Sequence, residues 1–291
     1  MAIQVQARAT RTPRESAQLP PRRKPSIWLR LNALPAWLVS SIALIGAFIA
    51  WWIVASLQIW DPIFVPSPQS VWDKLVLTST THDGTLGYAG YMVWDHLRIS
   101  LTRIVSASAI AVVIGIPLGF AIGLVPVLKH ALGPFITFLR QLPPLAYFSL
   151  LIIWFGIDDS PKLILLVIAA VPPIIVATVA GLESVNSDYV QAARSLGSST
   201  FNVTRRVLLP SALPDIFTGI RLGFGVAYGS VVAAETVNGI PGIGGMIRDA
   251  QRYNQTDTVI LGIVLLGLSG LALELLLKRL QDSATPWRGH S

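Results

Sequence analysis

The sequence contains no cysteine among its 291 residues. This absence excludes disulfides, thiolate zinc sites and cysteine nucleophiles. Charged residues are scarce, at 13%, where a typical soluble domain carries about 25%. No Gly-Lys dipeptide occurs, so the chain lacks the P-loop that cradles nucleotide phosphates. Hydrophobic residues make up 53% and the mean hydropathy is +0.61, which indicates an integral membrane protein.

Six stretches are long and apolar enough to cross a membrane as helices, since about 20 apolar residues cover ~30 Å of hydrocarbon. The sequence therefore predicts an all-α fold of six transmembrane helices with both termini on one side. The third stretch is interrupted by Arg140 and by Pro143 and Pro144, which predicts a broken helix beside a cavity. Glu235 closes the fifth. The predicted spans are about 36–57, 99–124, 132–155, 163–182, 216–236 and 258–277.

Lysine and arginine predict the orientation of these spans. Of the 22 such residues, fourteen lie inside and five outside if the N-terminus is inside. We therefore expect cytoplasmic termini, and the net charge of +7 indicates contact with membrane lipid and no nucleic-acid partner. The predicted organisation is a disordered basic tail over 1–34, a transmembrane domain over 35–280 and a cytoplasmic C-terminal tail over 281–291.

The longest charged interruption, about 183–214, has the pattern of a helix, a glycine turn and a second helix that exits at prolines 210 and 214. Tyr189, Ala192, Ala193 and Leu196 lie on one helical face. Gly197 suits the left-handed conformation that closes a helix. A short helix presented in this way favours docking into a groove on a partner.

The same loop resembles the signature of ABC importer permeases, E-A-A-x3-G-x9-I-x-L-P, and keeps its spacing throughout. Gln191 stands where the signature has Glu, and Val207 where it has Ile. The Gln removes the charge for any ion pair with the ATPase, whereas docking by shape is retained. By this resemblance the ATPase-docking residues are Gln191, Ala192, Ala193, Gly197, Val207, Leu209 and Pro210.

Other segments are similar to the permeases for aliphatic sulfonates, taurine, nitrate and thiamine precursors. They are RQLPPLA from Arg140, WFGI from Trp154, GIRLG from Gly219 and AAE from Ala233, while FVPSP at 64–68 and TPW at 285–287 are similar to the taurine branch. The resemblance implies a type I ABC importer permease fold and alternating-access import of a small anion, taurine or another alkanesulfonate first. Nitrate and a thiamine-precursor pyrimidine stay open as alternatives.

The resemblance also implies partners. These are a cytoplasmic ABC ATPase dimer that binds ATP and magnesium, a periplasmic or lipid-anchored solute-binding protein, and a second permease subunit in a homodimer. The chain itself is then expected to hold no cofactor and no metal, and to be a transport subunit without a catalytic site. Its expected location is the bacterial cytoplasmic (inner) membrane.

Charges within the spans are the remaining candidates, because ionisable groups there are costly and often functional. Arg140, Pro143, Pro144 and Glu235 are candidates for the translocation path, with helix anchoring as the alternative for the arginine. Arg103 and Arg221 are predicted to snorkel to the membrane interface. Glu274 is predicted to pair with Lys278 along its helix.

Two other classes of protein are alternatives to the importer. An ion-coupled secondary transporter should show intramembrane acids and broken helices in corresponding halves, and the sequence has few such acids. An intramembrane hydrolase built on Ser269 would need a histidine at membrane depth. All four histidines are predicted to lie in loops or a tail, so Ser269 and its flanking glycines are interpreted as helix-packing residues.

Overall fold

The computed structural model describes residues 35–82, 84–237 and 239–287. The chain divides after Trp51 into two units. Helix α1, Ala36–Ser56, is the helix described in the first unit and continues past its end. The predicted tail over 1–34 lies outside the described residues, as do the last four residues of the predicted C-terminal tail.

The second unit is helical apart from one short hairpin within the described ranges. It opens with α2 (Pro68–Thr78), strands β1 (Thr81–His82) and β2 (Thr85–Leu86), which pair antiparallel, and α3 (Val93–Leu124). The middle contains α4 (Pro126–Gln141), α5 (Pro144–Phe155) and α6 (Asp159–Glu183). Next come α7 (Ser187–Ser195), α8 (Thr200–Val203) and a π-helical turn (Thr204–Leu208). The chain ends with α9 (Leu209–Val237), α10 (Ile243–Arg252) and α11 (Thr256–Ala284).

Within the described residues, 5 helices are long and apolar enough to cross a membrane. They are Trp37–Ser56, Val93–Leu124, Asp159–Glu183, Thr200–Val237 and Thr256–Ala284. The predicted third span is formed by α4 and α5, which meet at an angle of 98°, and counting this pair as one span gives the six predicted. The break was expected, because a proline forces the residue before it into an extended conformation. Leu142 has that conformation, with ψ at 126°.

Helix α6 lies at the centre of the second unit, packed against α3 on one side and α9 on the other. The shared buried core consists of Ile104, Ala107, Ala111, Leu166, Ala170, Ile174, Phe224, Ala227 and Val231. Small residues permit this close packing. A Cβ at Gly119 of α3 would lie 2.6 Å from the Cβ of Thr178, and one at Gly219 of α9 would lie 2.4 Å from the Cβ of Ala177.

Two predicted helix boundaries are wrong for one reason. Helix α3 begins at Val93 and α6 at Asp159, so His96 and Lys162, which were expected in outer loops, lie in the first turns of helices. His96 is 0% exposed and Lys162 is 3% exposed. The apolar pattern begins only after these residues, whereas the helices begin before them because hydrogen-bond partners in the fold satisfy the polar groups.

The predicted helix exit at Pro210 and Pro214 is also wrong. Both prolines lie within α9, and Pro214 is inside the continuous helix. Pro210 has no N–H to donate, and the turn before it is π-helical, with the Leu209 N–H donating to the Thr204 carbonyl five residues earlier. The wider turn lets the chain pass a proline and remain helical, so the docking loop runs directly into α9.

Candidate functional site

The loop between α6 and α9 has well-formed helix ends. The side chain of Asn186 caps the first turn of α7. Gly197 follows α7 with φ at +80°, which confirms the predicted left-handed closure. Its N–H donates to the Arg194 carbonyl at 2.9 Å, and the Ser198 N–H donates to the Ala193 carbonyl at 3.1 Å. The short helix is therefore held by hydrogen bonds local to the loop.

The same loop leaves three large apolar side chains exposed. Tyr189, Leu196 and Phe201 are 64%, 86% and 71% exposed. The docking residues predicted from the signature lie around them: Gln191, Ala192, Gly197 and Leu209 are exposed, and Ala193, Val207 and Pro210 are half-buried. A contiguous set of exposed apolar side chains marks an interaction surface. We call residues 187–208 the docking surface.

The path candidates occupy two different places. Arg140 is exposed in the last turn of α4 and makes no ion pair with the described residues. Pro143 and Pro144 form the bend itself, and α5 beyond it packs through Phe148. Glu235, in contrast, is completely buried near the end of α9 and bonds to residues other than Arg140. The structure therefore does not join Glu235 to the break between α4 and α5.

The Glu235 carboxylate is surrounded by hydrogen-bond donors. The Ser100 hydroxyl lies 2.8 and 2.9 Å from its two oxygens, and the Arg103 Nη1 donates to one of them at 2.6 Å. The backbone N–H of Gly244 donates to the other at 2.8 Å. A buried carboxylate is tolerated when it is paired and hydrogen-bonded in this way.

Arg103 is not a snorkelling anchor, contrary to the sequence prediction. Its side chain is 7% exposed, and besides Glu235 it donates through Nη1 to the Pro241 carbonyl at 3.0 Å. Its Nη2 donates to Asp159 Oδ1 at 2.7 Å, and Lys162 Nζ lies 3.3 Å from the same oxygen. One guanidinium therefore bridges α3, the start of α6 and the end of α9. We call Ser100, Arg103, Asp159, Lys162 and Glu235 the charge cluster.

The glycine-rich segment after α9 closes over this cluster. Gly242 has φ at +144°, and a Cβ there would lie 2.6 Å from the Glu235 carboxyl carbon, so only glycine fits. The Gly242 N–H donates to His96 Nδ1 at 3.1 Å, and His96 Nε2 lies 3.1 Å from the Tyr88 carbonyl.

Tyr88 ties the same end of the unit to α10. Its hydroxyl donates to Asp249 Oδ2 at 3.0 Å. Burial raises the pKa of Tyr88, and the hydrogen bond to the Asp249 carboxylate raises it further. The phenol therefore stays protonated at neutral pH and remains a donor.

The contacts of Glu274 and Ser269 bear on two further predictions from the sequence. Glu274 pairs across helices with Arg221, and not with Lys278 along its own helix. The Arg221 Nη1 also donates to Gln281 at 3.0 Å, which joins α9 to α11. The Ser269 hydroxyl donates to the Leu265 carbonyl at 2.7 Å and contacts the Tyr228 hydroxyl at 2.7 Å.

Sequence reasoning missed the charge cluster, although a signal for it was present. Arg103 and Glu235 are opposite charges placed inside two different predicted spans, and buried charges in spans pair with one another. The sequence could not show that α3 and α9 meet at these two positions. Among the described residues, no group of three or more His, Asp or Glu is placed to hold a metal ion.

Comparisons with known proteins identify the family of the chain. Residues 87–286 match the family described as binding-protein-dependent transport system inner membrane component. The chain is 43% identical over 239 residues to the taurine transport system permease protein TauC of Escherichia coli (strain K12), covering 82% of this chain and 86% of that protein. It is 27% identical over 281 residues to the putative aliphatic sulfonates transport permease protein SsuC of Bacillus subtilis (strain 168), covering 96% and 94%.

Solved structures share the fold at lower identity. The MetNI methionine ABC transporter, in inward-facing conformations, superposes with a TM-score of 0.60 at 19% identity, covering 67% of this chain and 98% of that chain. An amino acid ABC transporter with histidines gives a TM-score of 0.51 at 19% identity, covering 66% and 92%. Since the family match spans residues 87–286 and the match to TauC covers most of both proteins, the chain belongs to the family of binding-protein-dependent transport system inner membrane components, the permease subunits of ABC importers.

Proposed function

We propose that the chain imports a small organic anion, taurine or another alkanesulfonate first, by alternating access driven by a partner ATPase. The docking surface is the observation that carries this proposal, because it presents a short capped helix and exposed apolar residues between two long spans. With the N-terminus inside, this surface faces the cytoplasm and meets the ATPase. ATP and magnesium are then bound by the partner, since this chain has no P-loop.

The position of the docking surface explains how ATPase closure could reach the spans. Helix α6 ends at Glu183 and α7 begins at Ser187, while the π-helical turn at the other side runs directly into α9. A movement of α7 is therefore applied to α6 and α9 together. Because these two helices share a close-packed core, they move as a rigid pair rather than deform. Two such permease subunits, as a homodimer, would enclose the path.

Charge pairing in the spans supports an ATP-driven anion importer over an ion-coupled secondary transporter. Glu235 pairs with Arg103, and Glu274 pairs with Arg221, so neither acid is an unpaired site for a coupling cation. Arg140 lies exposed at the break between α4 and α5, where a guanidinium can meet a sulfonate. The similarity to TauC and SsuC supports the sulfonate class.

The test is uptake of radiolabelled taurine by proteoliposomes that contain this permease, its ATPase and its binding protein. We expect ATP-dependent uptake that unlabelled ethanesulfonate inhibits and that nitrate and a thiamine-precursor pyrimidine do not. Arg140→Gln should raise the KM for uptake by about tenfold, the loss of one charge-assisted contact of roughly 1.4 kcal/mol, and Arg140→Lys should raise it less. ATP-dependent uptake of nitrate or the pyrimidine in place of taurine would contradict the sulfonate assignment and leave the permease assignment standing.

A further inference from the structure

The two ion pairs of Arg103 differ in their exposure to water. The Glu235 side chain is 0% exposed, whereas the Asp159 side chain is 69% exposed, although both lie within 2.7 Å of the same guanidinium. Breaking a buried ion pair leaves an uncompensated charge and is strongly destabilising. An ion pair with an exposed partner breaks at little cost, because water solvates the released carboxylate. One half of this bridge is therefore permanent and the other is releasable.

The two halves also connect different parts of the fold. The Arg103–Glu235 half joins α3 to the end of α9, and the Pro241 carbonyl ties the segment after α9 to the same Nη1. The Arg103–Asp159 half joins this assembly to the first residue of α6. With the N-terminus inside, the start of α6 and the end of α9 both face the outside. The releasable pair thus lies where an outer closure would be made and broken.

We propose that the Arg103–Asp159 ion pair is the releasable closure at the outer end of the permease, and that it keeps ATP hydrolysis dependent on the solute-binding protein. The pair holds α6 against α3 while the outer end is closed, and it separates when the outer end opens. Arg103 is a positioning residue, held in place by Glu235 throughout. The Nε of Arg103 is buried without a hydrogen-bond partner among the described residues, so this guanidinium has a donor to offer when Asp159 moves. The inference rests on the alternating access proposed above.

The test is the rate of ATP hydrolysis by the permease–ATPase complex in proteoliposomes without binding protein. Asp159→Asn removes the releasable pair and the charge that faces Lys162 within α6, and it keeps the Arg103–Glu235 pair. The outer-open state therefore becomes more populated. We expect the basal rate to rise about two- to fivefold, the population shift produced by losing an exposed ion pair of roughly 0.4–1 kcal/mol. Stimulation by the loaded binding protein should fall by the same factor. A merely structural lesion would lower both rates.

Arg103→Lys tests the same pair from the other side, because an ammonium can keep the Glu235 pair but lacks the planar fork that reaches two carboxylates. It should raise the basal rate as Asp159→Asn does, and the double variant should show no further increase. Asp159→Glu should restore the wild-type rate. Asp73→Asn, the same charge change at an exposed residue of α2, is the matched control and should leave the rate unchanged.

The possible results distinguish failure of the outer closure from failure of the proposed function. Wild-type basal rates in both single variants, or a double variant whose increase is the product of the two, would overturn the closure. If Asp159→Asn fails to assemble with the ATPase, Arg103→Lys decides the matter alone. A wild-type permease that neither retains an ATPase nor responds to a binding protein would contradict the proposed function instead, so the two failures are distinguishable.

Discussion

Arg103 combines near-complete burial with three acceptors on three different parts of the fold. Its partners are Glu235, Asp159 and the Pro241 carbonyl. Arginine suits this position because its planar guanidinium presents several donors in fixed directions. The Ser100 hydroxyl and the Gly244 N–H complete the coordination of Glu235. The buried Glu235 carboxylate therefore depends on Arg103 as its counter-ion.

Replacing the arginine should expose that dependence. Arg103→Met leaves the Glu235 carboxylate buried without its cation, and we expect a loss of about 3–5 kcal/mol in the free energy of unfolding. Thermal unfolding of the purified permease in detergent measures it. Arg140→Met is the control, since Arg140 is exposed and has no ion pair among the described residues, and its effect should stay within about 0.5 kcal/mol. Equal stabilities of the two variants would show that Glu235 is neutral or solvated.

The helix α7 owes its end to one backbone conformation rather than to side-chain packing. Gly197 has φ at +80°, and a Cβ built there would meet no atom within 4 Å. A substitution at this position therefore changes the conformational energy of the helix end, and its Cβ does not clash with any neighbouring atom. This makes Gly197 a clean site at which to disturb the docking surface.

Gly197→Val should insert into the membrane normally, lose the ATPase during co-purification and fail to support uptake. A β-branched residue in the left-handed region costs roughly 1–2 kcal/mol, which lowers the population of the closed helix end about five- to thirtyfold. Gly197→Asn is the matched control, because asparagine tolerates this region and should retain most of the uptake. Wild-type uptake by the valine variant at normal expression would remove the docking role of α7.

Element types were predicted well and element boundaries less well, for reasons visible at particular residues. The apolar runs predicted the long helices, and Gly197 predicted the end of α7. The exit at Pro210 was wrong because a π-helical turn absorbs the proline. The early starts of α3 and α6 were missed because His96 and Lys162 are polar, and only their hydrogen-bond partners in the fold explain their place inside helices.

At the scale of the whole molecule, orientation in the membrane is a prediction that single cysteines can test, because the natural chain has none. Ser195 in α7 and Gln251 in α10 are both exposed. In intact cells expressing the permease without its ATPase, Gln251→Cys should react with an impermeant maleimide. Ser195→Cys should react only after permeabilisation. The reverse pattern would overturn the orientation, the cytoplasmic docking surface and the outer closure together.

The sequence by itself determined the class of protein, and it predicted where a docking surface should lie. Both follow from signals that are local along the chain: apolar runs of the length of a membrane, a positive-inside bias, and a spaced motif that ends a helix at Gly197. The same local signals also indicated the break at Pro143 and Pro144, and the structure added its angle of 98°.

Only the tertiary structure decided which charges meet. Arg103 and Glu235 are 132 residues apart in sequence, and Arg103 and Asp159 are 56 apart. Whether such residues pair depends on how α3, α6 and α9 pack, and that packing depends on small residues such as Gly119 and Gly219 fitting against particular neighbours. The sequence shows each charge as costly in its span, whereas the fold shows that the charges satisfy one another and that Asp159 alone faces water.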